Sequence, residues 1–373
     1  MKFRCERDVL TEALSTAGRS VATRTGSAAA ALGLRIEVEE NHLVVLGTDL
    51  DLTMRVELEV TGLEDGAFVV PARLVTDIVR LLEPGAVTFE GGDDEVQIFA
   101  ARSKFVVRTY SLDDFPVLTN PGLPQATLPT TMLAEALRQV VRAASDDDTR
   151  PLLTGVLIAA EGNGIRLVAT DSYRLALRDV VDVGPLPSEA EQILLPARAL
   201  SELQRLLGTS STTDTVSGNV GFSMSELDAT FSIAGVRLTT RLLDGHFPDY
   251  RQLIPAQYPS QLRVGKESLL DALRRVRLLV RDNTTPVRLS LRPSTVELSV
   301  VSQEIGHASE DVDADYEGDE LVIAFNPTYL IDGVDAVVGD EVVLETVDAT
   351  KPATVRAPEH DNYRYLLMPV RVS

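Results

Sequence analysis

Leu10-Thr11-Glu12-Ala13-Leu14 occurs in two further versions along the chain, Leu133-Ala134-Glu135-Ala136-Leu137 and Leu269-Leu270-Asp271-Ala272-Leu273. In each version a leucine is followed by an alanine three residues later and a leucine four residues later, which places apolar side chains along one stripe of a helix. The copies lie roughly 120 to 135 residues apart, whereas the units of a solenoid span about 20 to 50 residues. The spacing therefore predicts three whole domains in tandem.

Two further features follow each copy in the same order. The first is a polar step between two alternating strands, at Gly47-Thr48-Asp49, Ala169-Thr170-Asp171 and Val301-Ser302-Gln303. The second is a proline at the start of another helix, at Pro71-Ala72-Arg73, Pro196-Ala197-Arg198 and Asn326-Pro327. Each third is thus typical of an α+β fold, with two helices on one face of an antiparallel sheet. Proline clusters separate the thirds, and we expect domains at 1–123, 126–250 and 258–373.

The composition is that of a globular protein. With 373 residues and 44% hydrophobic content, the chain has room for three domains that each bury a core. No stretch approaches the roughly 20 uninterrupted apolar residues of a membrane span, and the first residues lack the apolar segment of a signal peptide. We therefore expect a cytoplasmic protein. Cys5 is the single cysteine, which excludes an intrachain disulfide and a cysteine metal cluster.

The distribution of charge matters more than its sum. A formal net charge of −21 argues against a nucleic-acid partner if it is spread evenly. The arginines, however, gather on the predicted helices, and the acidic residues lie on strands and loops, as in the alternating stretch at 310–315. Since a charge acts across only about 8 Å at physiological salt, a basic helical face could still meet DNA. Solvated surface arginines are the plain alternative, and the acidic stretch predicts a strand with one face in water at a sheet edge.

No group of residues predicts catalysis, a metal site or a cofactor. The four histidines lack metal-ligand spacing. Asp49 and Asp51 could act as paired carboxylates on one face of a strand. The repeats argue against this role, because the Asp49 position is Gln303 in the third domain and the Asp51 position is Tyr173 in the second. We expect Asp49 and its repeat partner Asp171 to cap a turn, although a carboxylate-dependent enzyme that uses them stays open as an alternative.

Three blocks of sequence together resemble one known family, the β sliding clamp, which is the β subunit of bacterial DNA polymerase III. The blocks are Val168-Ala169-Thr170-Asp171-Ser172-Tyr173-Arg174-Leu175-Ala176, Asp244-Gly245-His246-Phe247-Pro248-Asp249-Tyr250-Arg251 and Tyr365-Leu366-Leu367-Met368-Pro369-Val370-Arg371. The resemblance implies three similar domains per chain and a head-to-tail homodimeric ring with helices inside. It implies a non-enzymatic DNA-binding processivity factor that encircles duplex DNA without sequence specificity, needs no cofactor, and sits in the cytoplasm on the nucleoid.

The resemblance also implies a peptide-binding pocket between the second and third domains. Polymerase, clamp loader and repair proteins would bind there through linear motifs with a glutamine and two apolar anchors, and asparagine and arginine would supply donors at the rim. The positions that match are Arg150, Leu153, Thr170, Ser172, Tyr173, Arg174, Leu175, Pro248, Leu253, Asn326, Tyr329, Pro352, Leu366, Met368, Pro369, Val370 and Arg371.

Two further surfaces follow from the same resemblance. The arginines expected to face DNA are Arg24, Arg73, Arg80, Arg138, Arg142, Arg198, Arg205 and Arg274. The residues expected at the dimer interface are Lys104, Phe105, Val107, Leu278, Leu279 and Glu304. The loop at 23–31 and the acidic side of the interface depart from the family pattern. The sequence therefore leaves open a specialised second-copy clamp and a monomeric peptide-binding adaptor, and it names no particular partner.

Overall fold

The computed structural model describes residues 1–22, 32–92, 94–118, 122–183, 191–210, 218–281 and 285–371. The α-helices of this part of the chain are α1 (Arg7–Gly18), α2 (Ala72–Leu81), α3 (Thr130–Val140), α4 (Ala197–Ser210), α5 (Lys266–Val276) and α6 (Pro327–Ala336). The three repeated stripes lie on α1, α3 and α5, and their leucine and alanine side chains are all buried. The two helices predicted for each third are therefore confirmed.

The strands fill the ranges between the helices. In chain order they are β1 (Lys2–Glu6), β2 (Gly33–Glu39), β3 (His42–Thr48), β4 (Leu52–Glu59), β5 (Thr61–Glu64), β6 (Gly66–Pro71), β7 (Ala86–Gly91), β8 (Glu95–Ala100), β9 (Ser103–Arg108), β10 (Ala126–Pro129), β11 (Gly155–Glu161), β12 (Gly164–Thr170), β13 (Arg174–Val181), β14 (Gln192–Pro196), β15 (Asn219–Met224), β16 (Asp228–Ile233), β17 (Val236–Arg241), β18 (Ser260–Gly265), β19 (Val287–Arg292), β20 (Thr295–Ser302), β21 (Gly306–Glu317), β22 (Leu321–Phe325), β23 (Glu341–Thr346), β24 (Ala353–Arg356) and β25 (Tyr363–Leu367).

The chain folds into two compact units. Unit 1 comprises Met1–Thr130 and Glu202–Leu242, and unit 2 comprises Thr131–Ser201 and Leu243–Ser373. Unit 1 holds a five-stranded sheet of order β5-β1-β7-β8-β9 and an eight-stranded sheet of order β10-β15-β16-β17-β4-β3-β2-β6. Unit 2 holds a twelve-stranded sheet of order β14-β11-β12-β13-β25-β24-β23-β18-β21-β20-β19-β22. The paired strands run antiparallel, as the alternating patterns predict.

The eight-stranded sheet of unit 1 has a different cluster on each face. Leu34 and Ile36 of β2 belong to the large core that also contains Leu14 of α1. The neighbouring side chains along the same strands point to the other face, because successive residues of a strand alternate. There a small cluster of Leu46, Val69 and Phe115 is covered by the segment at 110–118. This second face becomes important below.

Strand pairing crosses from one third of the chain to the next. In unit 1, β4 pairs with β17, and Leu52 lies opposite Thr240. In unit 2, β13 pairs with β25, and Arg174 lies opposite Leu367. The middle third therefore gives β15, β16 and β17 to unit 1 and β11 to β14 to unit 2. For this reason the two compact units do not coincide with the boundaries expected at residues 123 and 258.

The acidic strand β21 has one face in water, as predicted. Its buried residues Val312, Ala314 and Tyr316 alternate with exposed neighbours. From Gly306 to Asp313 the strand pairs with β20, and from Ala314 to Glu317 it pairs with β18. Over residues 306–313 no other described strand pairs with its second side, so much of the acidic stretch lies along a sheet edge.

Candidate functional site

The turn between β12 and β13 organises the residues predicted for peptide binding. Asp171 Oδ1 accepts backbone N–H bonds from Tyr173 and Arg174, each at 2.9 Å. Thr170 Oγ1 accepts one from Ser172 at 3.2 Å. Ser172 has a φ of 80°, a left-handed conformation that such side-chain acceptors stabilise. The turn leaves Tyr173 60% exposed, and Asp171 caps it as expected.

Arg174 ties this turn to helix α6. Its Nε donates to Asp171 Oδ2 at 2.9 Å and its Nη1 donates to Asp332 Oδ2 at 2.5 Å. The guanidinium lies 4.2 Å from the centroid of the Tyr329 ring, in a cation–π arrangement. Burial raises the pKa of the Tyr329 hydroxyl. With only 11% of its side chain exposed, Arg174 positions the turn, and its role as a donor to a partner stays a prediction.

Arg150 remains nearer the surface and holds the other side of the turn. Its Nη1 donates to the carbonyl oxygen of Asp171 at 3.2 Å and to Ser172 Oγ at 3.3 Å. Its Nε donates to Asp147 Oδ2 at 3.0 Å. With 38% of its side chain exposed, Arg150 keeps donor capacity for a partner.

The C-terminal segment runs alongside the turn. The backbone N–H of Met368 donates to the carbonyl oxygen of Tyr173 at 2.9 Å, and that of Val370 donates to the carbonyl oxygen of Ala324 at 2.7 Å. Met368 is 42% exposed. Pro369 and Val370 are half-buried, and Arg371 is exposed. These two backbone bonds place the Met368 side chain next to Tyr173.

An apolar floor lies beneath the turn. Leu175 and Leu366 are buried in one cluster with Tyr250, and Phe247 packs against it. Leu153 is also buried, at 9% exposure. The apolar residues that remain exposed around this floor are Tyr173, Leu253, Met368 and Pro248. Phe247 was not among the residues predicted for the peptide pocket. The Phe-Pro pair that occurs at both Phe115 and Phe247 is a sequence signal that could have identified it.

Asn326 has a structural role that the sequence did not reveal. Its Oδ1 accepts backbone N–H bonds from Thr328 at 2.9 Å and Tyr329 at 3.3 Å, which makes it the N-cap of α6. Capping in this way satisfies donors that the helix itself cannot pair. The Oδ1 atom of Asn326 is thus engaged within the protein, and its side-chain amide nitrogen is the group left to contact a ligand. Pro352, also on the predicted list, is half-buried just before β24.

Two arginines expected to face DNA instead hold the C-terminal end of α6. Arg138 donates to the carbonyl oxygens of Asp335 at 3.3 Å and Ala336 at 3.0 Å. Arg142 donates to the carbonyl oxygen of Asp332 at 3.3 Å and to Asp335 Oδ2 at 3.1 Å. Positive charge stabilises the unpaired carbonyls at a helix C-terminus. Arg138 and Arg142 therefore hold α6 in unit 2, and their contact with DNA stays a prediction.

The remaining helical arginines are exposed. Arg73 has 98% of its side chain exposed, and Arg198 is exposed as well. Three others bind an acid three residues earlier, namely Arg80 to Asp77 at 2.9 Å, Arg205 to Glu202 at 3.1 Å and Arg274 to Asp271 at 3.1 Å. Exposed pairs of this kind contribute little free energy, so a phosphate can compete for these arginines. Arg24 and the altered loop at 23–31 lie outside the described residues.

The edge strand β9 carries the residues predicted for self-association in unit 1. Phe105 is 40% exposed, and Lys104 is exposed with its Nζ 5.2 Å from the centroid of the Phe99 ring. Val107 is only 5% exposed and belongs to the core of unit 1. The place of Val107 at the interface stays a prediction, and its side chain offers a partner less surface than that of Phe105. Val106, 51% exposed, is a further accessible apolar residue of this strand.

The corresponding residues of unit 2 lie near the acidic edge of β21. Leu278 is 82% exposed in the short 3₁₀ helix Arg277–Leu279, and Leu279 is half-buried. Glu304 is exposed. Glu310 accepts a hydrogen bond from Arg275 Nη2 at 2.7 Å. Leu278 is thus the most accessible apolar side chain of this predicted surface.

The described ranges hold no candidate metal site and no helix suited to span a membrane. In those ranges no group of three His, Cys, Asp or Glu side chains could hold a metal ion. None of the helices placed there is both long and apolar enough to cross a membrane. Cys5 is buried, and burial raises the pKa of its thiol.

Family models of the DNA polymerase III beta subunit match the chain in three consecutive segments. The N-terminal domain model matches residues 1–119, the central domain model 127–249 and the C-terminal domain model 251–371. The chain belongs to the DNA polymerase III β subunit family. Two curated relatives named beta sliding clamp cover 100% of both chains, one from Streptomyces coelicolor at 36% identity over 381 residues and one from Synechocystis sp. at 30% over 395 residues.

Solved structures of the β subunit family superpose on the whole chain. The sliding clamp of Bacillus subtilis has a TM-score of 0.91 at 29% identity, and that of Bartonella birtlesii, bound to griselimycin, has a TM-score of 0.91 at 30% identity. Each covers 100% of both chains. The β subunit family consists of three-domain sliding clamps, which are non-enzymatic processivity factors of DNA polymerase. The resemblance drawn from the sequence is confirmed, and the alternative of a carboxylate-dependent enzyme is set aside.

Proposed function

We propose that two copies of this chain close head to tail into a ring around duplex DNA, with domains at 1–123, 126–250 and 258–373. Twelve helices of about 10 Å width would line a circle of about 120 Å circumference and leave a hole approaching 30 Å. Exposed arginines such as Arg73 and Arg198 would contact phosphates without reading bases. Enclosure would retain the ring on DNA, so affinity could stay low and sliding fast. We place the ring in the cytoplasm, on the nucleoid.

A loading experiment tests this part of the proposal. The protein is assembled by a clamp loader on a nicked circular plasmid, and the plasmid is then cut once at a distant restriction site. A ring should stay on the circle through gel filtration and leave the linear form. Equal retention on both forms would show that binding does not depend on enclosure.

Two sheet edges support ring closure. The β9 edge offers Phe105 and Val106 beside Lys104, and unit 2 offers Leu278 beside Glu304 and the open side of β21. Apolar contacts flanked by opposite charges suit an interface between two copies. The main support for this interface is Leu278. Its side chain is 82% exposed beside an unpaired strand edge, a combination that favours association with another copy.

Sedimentation velocity tests the interface. Leu278→Glu should shift the protein from dimer toward monomer by at least tenfold in dissociation constant, since a charge would replace a buried apolar contact. Leu63→Glu is the matched control, because Leu63 is 57% exposed on β5, at the opposite edge of the same sheet as β9. An unchanged dimer in Leu278→Glu would remove this residue from the interface, and a monomeric wild type would favour the adaptor alternative.

We also propose that the β12–β13 turn and the C-terminal segment bind linear motifs of polymerase, clamp loader and repair proteins. The observation that supports this is the group of exposed apolar side chains, Tyr173, Leu253 and Met368, around a buried apolar floor. Such a surface suits an extended segment whose apolar side chains anchor it while its backbone and glutamine take hydrogen bonds.

Fluorescence polarisation tests the peptide site. The probe is a fluorescein-labelled peptide with one glutamine and two leucine anchors, and its control has alanine at all three positions. Met368→Glu should weaken binding of the probe at least tenfold. Val181→Glu, at a residue 55% exposed at the far end of β13, should leave it unchanged. Equal affinity of the probe for wild type and Met368→Glu would refute the assignment of this site.

A further inference from the structure

The β3–β4 turn of unit 1 repeats the hydrogen bonds of the β12–β13 turn. Asp49 Oδ1 accepts backbone N–H bonds from Asp51 at 3.2 Å and Leu52 at 2.8 Å. Thr48 Oγ1 accepts one from Leu50 at 3.1 Å. Leu50 has a φ of 82°, close to the value at the matching position of unit 2. The two turns are therefore the same backbone motif at equivalent places in two repeats.

The strand beside each turn is equivalent as well. The backbone N–H of Arg241 donates to the carbonyl oxygen of Asp51 at 2.9 Å. In unit 2 the backbone N–H of Met368 makes the same bond to Tyr173 at 2.9 Å. Arg241 thus occupies in unit 1 the place that Met368 occupies in the proposed peptide site, and Asp51 occupies the place of Tyr173.

The strand registers extend this equivalence to the floor of each site. In unit 2 the floor positions are Leu157, Leu175, Leu177 and Leu366. The matching positions in unit 1 are Arg35, Thr53, Arg55 and Thr239. At these four positions the sheet face is apolar in unit 2 and polar in unit 1. Val168 and Leu194 of unit 2, by contrast, keep apolar counterparts in Leu46 and Val69 of unit 1.

A cleft of about 880 Å³ opens over the polar face. Four arginines line it, namely Arg35, Arg55, Arg237 and Arg241. Exposed apolar side chains lie at its margin, namely Leu50 at 61%, Leu112 at 40%, Val117 at 100% and Leu227 at 61%. A volume of this size suits several residues of an extended chain.

Arginine–glutamate pairs occupy the floor of the cleft. Arg35 Nη2 binds Glu37 at 3.0 Å. Arg55 Nε binds Glu57 at 2.7 Å, and Arg237 shares that same carboxylate at 3.8 Å. The arginines of the floor are thus engaged with glutamates, and Arg241 is the arginine of the cleft that remains outside these pairs.

Two donor groups are also unused. Arg35 Nε is buried without a hydrogen-bond partner among the described residues. Arg241 is exposed and forms no ion pair within the described part of the chain. The exposed guanidinium of Arg241 is thus the donor that a carboxylate in the cleft can reach, because Arg35 Nε is closed to solvent. Asp51, Asp113 and Asp228 also line the cleft, so the site would repel a continuous run of negative charge, such as a nucleic-acid backbone.

We propose that this cleft is a second docking site, for an extended peptide with one carboxylate side chain next to bulky apolar side chains. The carboxylate pairs with the exposed guanidinium of Arg241. The apolar side chains cover the margin formed by Leu50, Leu112 and Leu227. This goes beyond the proposed function, which assigns a single peptide site, in unit 2.

Peptide selection on the full-length protein tests the proposal. A phage library of random dodecapeptides is panned on Met368→Glu, so that the site of unit 2 contributes nothing. The selected peptides should carry Asp or Glu beside Leu, Ile or Phe. Their fluorescein-labelled forms should bind at least tenfold more weakly when either Arg241→Glu or Leu50→Asp is added, the latter because aspartate tolerates a left-handed φ. Arg4→Glu, an exposed arginine of β1 outside the cleft, is the control and should change nothing.

Three outcomes overturn the proposal. One is the selection of peptides that lack a carboxylate, and another is binding that neither cleft variant weakens. The third is a fluorescein-labelled dT12 oligonucleotide that binds more tightly than the selected peptides and is lost in Arg241→Glu, which would assign the cleft to nucleic acid. Because the background already carries Met368→Glu, each result is independent of the site in unit 2.

Discussion

The sheet faces beneath the β3–β4 turn and the β12–β13 turn share a backbone and differ in their side chains. In unit 2 the face is an apolar cluster that includes Leu175 and Leu366 and is covered by Phe247. In unit 1 the apolar cluster shrinks to Leu46, Val69 and Phe115, and a cleft remains open beside it. The turn hydrogen bonds thus maintain the scaffold in both repeats. A few side chains on the floor therefore decide the chemistry that each repeat presents on the same backbone.

The largest expected effect separates the two floors directly. Leu366→Asp places a carboxylate in the apolar cluster of unit 2, where the leucine is 3% exposed, and should cost about 4 kcal/mol of stability. Thr239→Asp at the matching position of unit 1 should cost less than about 1 kcal/mol, because arginines surround a half-buried residue there. Hydrogen exchange followed by mass spectrometry measures the protection of β13 and of β17 separately. A thermal melt of the whole chain would not separate the stabilities of the two units. Equal losses of protection would contradict the assignment of apolar and polar floors.

A smaller effect distinguishes the helices behind the two turns. A Cβ atom on Gly47 would lie 2.1 Å from the carbonyl oxygen of Ala17 at the end of α1, so Gly47→Ala should cost about 3 kcal/mol in unit 1. The matching residue of unit 2 is Ala169, whose side chain is accommodated with 0% exposure. Ala169→Gly should cost about 1 kcal/mol. Hydrogen exchange of β3 and β12 measures both changes, and a Gly47→Ala protein as stable as wild type would show that α1 can move away.

Features with local causes could be predicted from the sequence. The stripes of α1, α3 and α5 were found because each helix buries its own period of apolar residues, and the turn-capping role of Asp49 and Asp171 follows from side chains that bond nearby backbone. The bond from Arg142 to Asp335 could not be predicted, because the two residues are 193 apart in sequence. The burial of Val107 beside the exposed Val106 could not be predicted either, because the pattern of β9 does not say which face meets the core. The cleft of unit 1 depends on the register of β4 with β17, which no local pattern contains.

A third comparison concerns the two capping carboxylates. Asp171→Ala removes an acceptor of two backbone N–H bonds and also the partner of the buried Arg174, so it should cost about 3 kcal/mol. Asp49→Ala removes the same two backbone bonds from the β3–β4 turn and should cost about 1 to 2 kcal/mol. Local hydrogen exchange at each turn is the measurement.

The conservative variant separates the two roles of Asp171. Asp171→Asn keeps an oxygen for the backbone bonds and loses the charge that pairs with Arg174, so it should recover only part of the stability. Full recovery would mean that the ion pair with Arg174 contributes nothing.

The smallest expected effect is a pH dependence confined to unit 1. The hydrogen bond from Arg55, together with the charge of Arg237, lowers the pKa of Glu57 below its ordinary value of 4.5. A carboxylate whose pKa is lower in the folded state stabilises the fold above pH 4.5, and this stabilisation is lost as the pH falls through the folded-state value. Because 34% of the Glu57 side chain is exposed, the contribution should be only a few tenths of a kcal/mol.

In the Glu57→Gln protein the stability of unit 1 should therefore fall less as the pH is lowered. The measurement is the hydrogen-exchange protection of β4 between pH 3 and pH 6, corrected for intrinsic exchange. The matched control is Asp179→Asn at the equivalent position of unit 2, where the carboxylate accepts from Arg166 at 2.6 and 2.8 Å. That control should leave the profile of β4 unchanged. Salt at about 1 M should shrink the difference between wild type and Glu57→Gln, because it shortens the screening length to about 3 Å. A difference that persists in high salt would mean that Glu57 stabilises unit 1 through packing and not through its charge.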